Sequence, residues 1–213
     1  ILTLTIYLLG QKTKKRLRTI TYVDELTGLR TLSKFKKDVK AKLYYADPDD
    51  YMIISFDIDN FKYINDSFGF EIGNAVLAEL GVHFKDFEGP DDFICRSFAD
   101  YFLIFTRKRN WNDLLSKFAE LTSVKNSLSD LLSEHYEVSF SAGVYYINNL
   151  SLSVTGMIDK ATIARKSVKG LHYKSAMVEY TPKMDNEIEW QKEITLAMDN
   201  ALINQEFIVY YQP

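Results

Sequence analysis

Leu32, Phe35, Val39 and Leu43 recur at helical spacing with lysines between them. That is the pattern of an amphipathic helix, and Asp47-Pro48 ends it. Met52, Ile53, Ile54 and Phe56 then form an apolar run that predicts a buried strand. The strand finishes in two carboxylates, Asp57 and Asp59. Residues two apart on a strand share a face, so both side chains are expected to look at one point. Lys62, Asn65 and Asp66 follow in a polar stretch that reads as a loop. Gly69 and Gly73 punctuate the entry to a helix expected to begin near Asn74. Val76, Leu77, Leu80 and Phe84 mark that helix, which stops before Gly89-Pro90. Phe93–Ser97 and Tyr101–Thr106 predict a hairpin. Trp111–Leu132 reads as helical with a break near Ser123–Asn126, Glu137–Ile147 as a strand, Val154–Val168 as a helix and Ala176–Tyr180 as a last strand.

The order is β-α-β-β-α-β with an extra helix pair, the split βαβ arrangement. It predicts an α/β (α+β) fold, ferredoxin-like, with a sheet containing antiparallel strands and helices on one or both faces. After Thr181-Pro182 the pattern changes. Glu187–Asn204 is amphipathic through Ile188, Ile194, Met198, Ala201 and Leu202, and leads into a strand expected over Phe207–Tyr211. A boundary near Pro182 divides the chain into a linker over 1–19, a domain over 20–181 and a following segment over 182–213. Ile1–Leu9 is apolar and precedes Lys12, Lys14, Lys15, Arg16 and Arg18. Crossing a bilayer takes about 20 residues. The segment therefore reads as the end of a membrane helix with its basic cluster on the cytoplasmic side, or as an amphipathic linker. The expected location is the cytoplasmic side of the membrane, in a chain that is a piece of a longer protein.

Composition narrows the function. At 46% hydrophobic and 26% charged residues the chain is globular. A net charge of −3 argues against a nucleic-acid-binding surface. The single cysteine, Cys95, excludes an internal disulfide, and its apolar surroundings predict a buried, inert thiol. His83, His135 and His172 lack zinc-ligand spacing. The chemistry therefore concentrates at Asp57 and Asp59, where a strand end, a lysine and a helix N-terminus could together take a divalent cation and phosphate. The alternative is a strand, loop and helix with solvated charges.

The motifs resolve this further. Asp24-Glu25-Leu26-Thr27-Gly28-Leu29 matches D-x-L-T-G-L. Asp57-Ile58-Asp59-Asn60-Phe61-Lys62 with Ile64-Asn65-Asp66, Gly69 and Gly73 matches D-x-D-x-F-K-x-I-N-D and its glycines. Ser141-Ala142-Gly143-Val144 is similar to S-I-G-V, and Asp159 and Lys166 fall on an A-D-x-A-x-Y-x-A-K helix. Together, over Ile20 to Thr181, these resemble the GGDEF family, the diguanylate cyclase domain, with its nucleotidyl-cyclase palm. The tail resembles the first strand of an EAL phosphodiesterase domain. The resemblance implies a homodimer joining two GTP molecules into cyclic di-GMP, each GTP held with Mg²⁺. It implies Asp57, the Ile58 carbonyl and Asp100 as metal ligands, Lys62 and Lys166 on phosphates, and Asn65 on the guanine edge.

The departures bear on activity. Where the family reads G-G-[D/E]-E-F, this chain reads Phe98-Ala99-Asp100-Tyr101-Phe102. Both glycines are lost. A Cβ there penalises positive φ, and Phe98 places a ring where ligand should pass. Tyr101 stands for the second acid. Asn74 stands for the guanine-reading Asp, and an amide oxygen accepts hydrogen bonds less strongly than a carboxylate. Phe70 replaces a His, Thr31-Leu32 replaces Asn-Arg, and Gly89-Pro90-Asp91-Asp92 lacks the Arg of the R-x-x-D product site. The expected function is a non-cyclising GGDEF domain that regulates an attached EAL phosphodiesterase, with GTP or a related nucleotide as ligand. The alternatives are an active diguanylate cyclase, and a structural spacer in which Phe98 fills the old pocket.

Overall fold

The computed structural model describes residues 22–124, 128, 132, 138–168 and 175–207. The apolar and basic N-terminal segment, His135, His172 and nearly all of the strand expected over Phe207–Tyr211 lie outside the described residues.

The centre of the domain is β2, Tyr51–Ile58, buried along its whole length. Strand alternation explains how eight successive residues can all be covered. Met52, Ile54, Phe56 and Ile58 join one apolar cluster, and Tyr51 and Ile53 join another on the opposite face. The strand needs a helical layer on each side. The first layer is α2 (Phe61–Phe68), α3 (Phe70–Phe87) and α4 (Trp111–Leu121). These contribute Ile64, Leu77, Leu80, Phe84 and Phe118. The second is α1 (Leu32–Tyr45) and α5 (Val154–Val168), which contribute Phe35, Val39, Met157, Ile158 and Ala161. Helices thus cover both faces, and the α/β class expected from the pattern is the class observed.

The remaining strands are β1 (Arg30–Thr31), β3 (Phe93–Phe98), β4 (Tyr101–Arg107), β5 (Phe140–Tyr146) and β6 (Ala176–Glu179). They form one six-stranded sheet in the order β1-β3-β4-β2-β5-β6. β2 runs antiparallel to β4 and β5, which places Tyr101 and Ser141 directly opposite Asp57 on its two sides. The two outermost pairings, β1 with β3 and β5 with β6, are parallel.

One expectation is corrected. The polar stretch after Asp59 is helix α2, and α3 begins at Phe70, four residues before Asn74. Phe61, Ile64 and Phe68 are spaced for one helical face, and that face packs on the core. Gly69, at φ +89°, is the joint between the helices. Gly73 lies inside α3, where a Cβ would stand 1.9 Å from Asn65 Oδ1. Its lack of a side chain lets α2 and α3 meet. Helix α4 ends at Leu121 in a short 3₁₀ turn through Val124, beside the break expected near Ser123–Asn126, and most of the span expected to continue to Leu132 lies outside the described residues. Cys95 is buried as expected, and burial pushes its thiol pKa up, leaving it protonated and unreactive.

By internal contacts the chain divides into Ile1–Tyr180 and Thr181–Pro213. The second unit contains helix α6, Lys183–Ile203, which exposes Trp190, Leu196 and Leu202. No helix among the described residues is long and apolar enough to cross a membrane.

Candidate functional site

The C-terminal end of β2 places Asp57 on the face that α5 covers. Its side chain is 4% exposed and is ion-paired with Arg165 of α5, itself 7% exposed. The guanidinium has further partners. Arg165 Nε donates to Ser55 Oγ at 2.9 Å, and the guanidinium carbon lies 4.8 Å from the centre of the Tyr101 ring. Ser55 Oγ donates to Tyr101 Oη at 3.1 Å, and Tyr101 Oη hydrogen-bonds Thr162 Oγ1. Thr162 Oγ1 donates to the Ile158 carbonyl at 2.7 Å. The result is one directed chain of hydrogen bonds from arginine through three hydroxyls to a helix carbonyl. Buried polar groups of this kind are stabilising only when each finds a partner, as the links of this chain do.

Gly143 makes the chain possible. It pairs with Ser55 across the β2–β5 ladder. A Cβ on it would stand 2.1 Å from Arg165 N and 2.2 Å from the Ala161 carbonyl oxygen. With no side chain there, the α5 backbone comes down onto the sheet and Arg165 reaches past Ser55 to Asp57. Asp59, just beyond the strand, accepts a 2.6 Å hydrogen bond from Ser141, the residue opposite Asp57. The two aspartates do share a face, each with its own partner.

The hairpin between β3 and β4 turns at Ala99 and Asp100. Ala99 sits at φ +45°, in the left-handed region that costs an L-residue roughly 1–2 kcal/mol. Replacing Ala99 by glycine should therefore stabilise the domain by about 1 kcal/mol, measured as a shift in the urea midpoint. No gain would mean that the turn relaxes at little cost. Phe98 is 67% exposed, its ring centre 5.3 Å from that of Tyr101. It fills no interior pocket, because Tyr101 takes the buried place beside α5 and the Phe98 ring lies outside it. Arg96 fastens the turn to the domain, donating from Nε to the Ala99 carbonyl at 2.7 Å and from a terminal nitrogen to Asp24 at 3.2 Å. Partial burial raises the Asp24 pKa, but hydrogen bonds from the Thr27 hydroxyl and amide and the nearby Arg96 outweigh it and leave the carboxyl below its usual value.

Comparison with known proteins places this arrangement. The family model "Diguanylate cyclase, GGDEF domain" matches residues 21–172. The chain belongs to the GGDEF family. Among solved structures, the coiled coil and GGDEF domain of DgcB from Caulobacter crescentus, in complex with c-di-GMP, superposes with TM-score 0.66 at 17% identity, covering 83% of this chain and 94% of that one. Among curated relatives, the biofilm architecture maintenance protein MbaA of Vibrio cholerae is 26% identical over 94% of this chain and 26% of its own length. The cyclic di-GMP phosphodiesterase PdeR of Escherichia coli is 23% identical over 95% of this chain and 31% of its own length. The chain thus spans about a quarter to a third of the curated relatives it matches along most of its length.

In this GGDEF domain the residues expected to meet nucleotide come from three helices. Lys62 on α2, Asn74 on α3 and Lys166 on α5 are exposed, and Asn65 is half-buried over Gly73. Asp100 is half-buried in the hairpin turn, and Ile58 is fully buried opposite Phe140. The donor set does not fit a divalent cation as it stands. The Asp57 carboxylate already faces a guanidinium, Tyr101 offers no charge, and no cluster of three or more His, Cys, Asp or Glu able to hold a metal occurs among the described residues. At the product-site position, Asp91 is bridged by Lys42 at 2.5 Å and Arg107 at 3.0 Å. Sequence reasoning missed Arg165. The signal was its spacing: Ile158, Ala161 and Arg165 stand three and four residues apart, which puts a charge on the buried stripe of α5.

Proposed function

We propose that this GGDEF domain does not make cyclic di-GMP and serves as a regulatory and dimerisation module in cyclic di-GMP signalling, controlling an attached EAL phosphodiesterase. One observation carries the reading: the turn Phe98-Ala99-Asp100-Tyr101-Phe102 replaces both signature glycines, and its Tyr101 is built into the hydrogen-bond chain that holds Asp57 to Arg165. A cyclase must orient the nucleotide and stabilise developing charge at once, and losing either costs orders of magnitude in rate. Lys62, Asn65, Asn74 and Lys166 are the groups this reading assigns to GTP or a related nucleotide. The phosphodiesterase half draws support from the relatives. PdeR aligns along 95% of this chain, which takes in most of the segment after Tyr180. The diguanylate cyclases DgcZ and DgcN of Escherichia coli align along 57% and 60%. In the same reading, the segment Ile1–Leu9 attaches the module to the cytoplasmic side of the membrane.

Purified protein incubated with GTP and Mg²⁺ should yield no cyclic di-GMP by mass spectrometry, while a cyclase run in parallel does. Sustained product formation that Asp57→Ala abolishes would establish the cyclase reading instead.

A further inference from the structure

The Asp57–Arg165 pair carries a conclusion about what this site binds. We propose that Arg165 supplies, from the chain itself, the positive charge that Asp57 would otherwise take from a divalent cation, so that the strand-end site is metal-independent.

The first support is charge. A buried carboxylate must be neutralised, by a proton, a cation or a metal. Here a guanidinium neutralises it, both side chains being almost fully enclosed. A dication added beside Asp57 would leave an uncompensated charge in a covered place, and Arg165 would have to leave. The second is the uncharged Tyr101 directly across the ladder from Asp57. An acid there would call for a second positive charge; the tyrosine calls for none. Its ring faces the guanidinium, and its hydroxyl links Ser55 to Thr162. Tyr101 and Arg165 act as a matched pair: removing one negative charge and adding one positive charge together equal the charge of the ion they replace. The third is fixation. The guanidinium is held by Asp57, by Ser55 Oγ and over an aromatic face, on a helix that Gly143 brings against the sheet. Swinging it out would break all three contacts and unpair a buried charge.

The test uses the full chain and Mn²⁺ alone, with no nucleotide. Paramagnetic broadening in a ¹H–¹⁵N spectrum reports where the ion sits. In the wild-type chain the amide signals of Ser55–Ile58 and Tyr101 should persist on adding Mn²⁺. In the double variant R165A/Y101E, which takes the guanidinium from Asp57 and adds a carboxylate opposite it, those signals should disappear selectively, with a rise in thermal midpoint. Selective loss in the wild type overturns the proposal, as does a folded double variant in which the signals persist. If the double variant does not fold, the wild-type spectrum still decides. Because metal alone is the probe, failure here leaves the non-cyclising reading standing, and cyclase activity would not by itself place a metal on Asp57.

Discussion

Replacing Arg165 by methionine should cost the domain about 3–5 kcal/mol of stability, the range for stripping one partner from a buried ion pair. The reason is what stays behind. Methionine fills much of the space but leaves the Asp57 carboxylate, 4% exposed, without its neutralising partner, and takes the donor from Ser55. The companion variant D57L/R165M removes both charges and should recover most of the loss, since well-packed apolar replacements of such pairs are often neutral. Urea unfolding followed by circular dichroism separates the cases. A loss below about 1 kcal/mol for R165M would mean the pair behaves like an exposed one and does not organise the site.

Gly143→Ala should cost less but still be damaging, at about 1–3 kcal/mol for overpacking a tight contact. The added methyl would meet backbone atoms of Ala161 and Arg165, which have no rotamer to escape into. Helix α5 has to lift, and Arg165 lifts with it. The two sites are therefore coupled: G143A combined with R165M should lose less than the sum of the single losses. Strict additivity in that cycle would show that Gly143 positions the helix without positioning the arginine.

Much of the fold was legible because each element's period was clean. The lysine-flanked helix α1, the apolar β2, the hairpin and α5 all carry one unambiguous spacing. Helix α2 was not legible, because Lys62, Asn65, Asp66 and Ser67 outnumber its three core-facing residues and its start at Asn60 has no side-chain cap. The family motifs located the site, and the altered signature located its departure. What they could not give was the compensation. Nothing in the Tyr101 position alone says that an arginine sixty-odd residues later will meet it. That pairing depends on a glycine in β5 setting the height of α5, a three-body arrangement visible only once the sheet order is known.

The sheet's margins limit how copies of the domain can associate. One border is the two-residue β1 and the other the four-residue β6. Rows of backbone groups this short offer little for a neighbouring chain to zip onto. Among the described residues, the surfaces left for self-association are helices and loops, where side-chain chemistry rather than continued strand pairing would set which copies recognise one another.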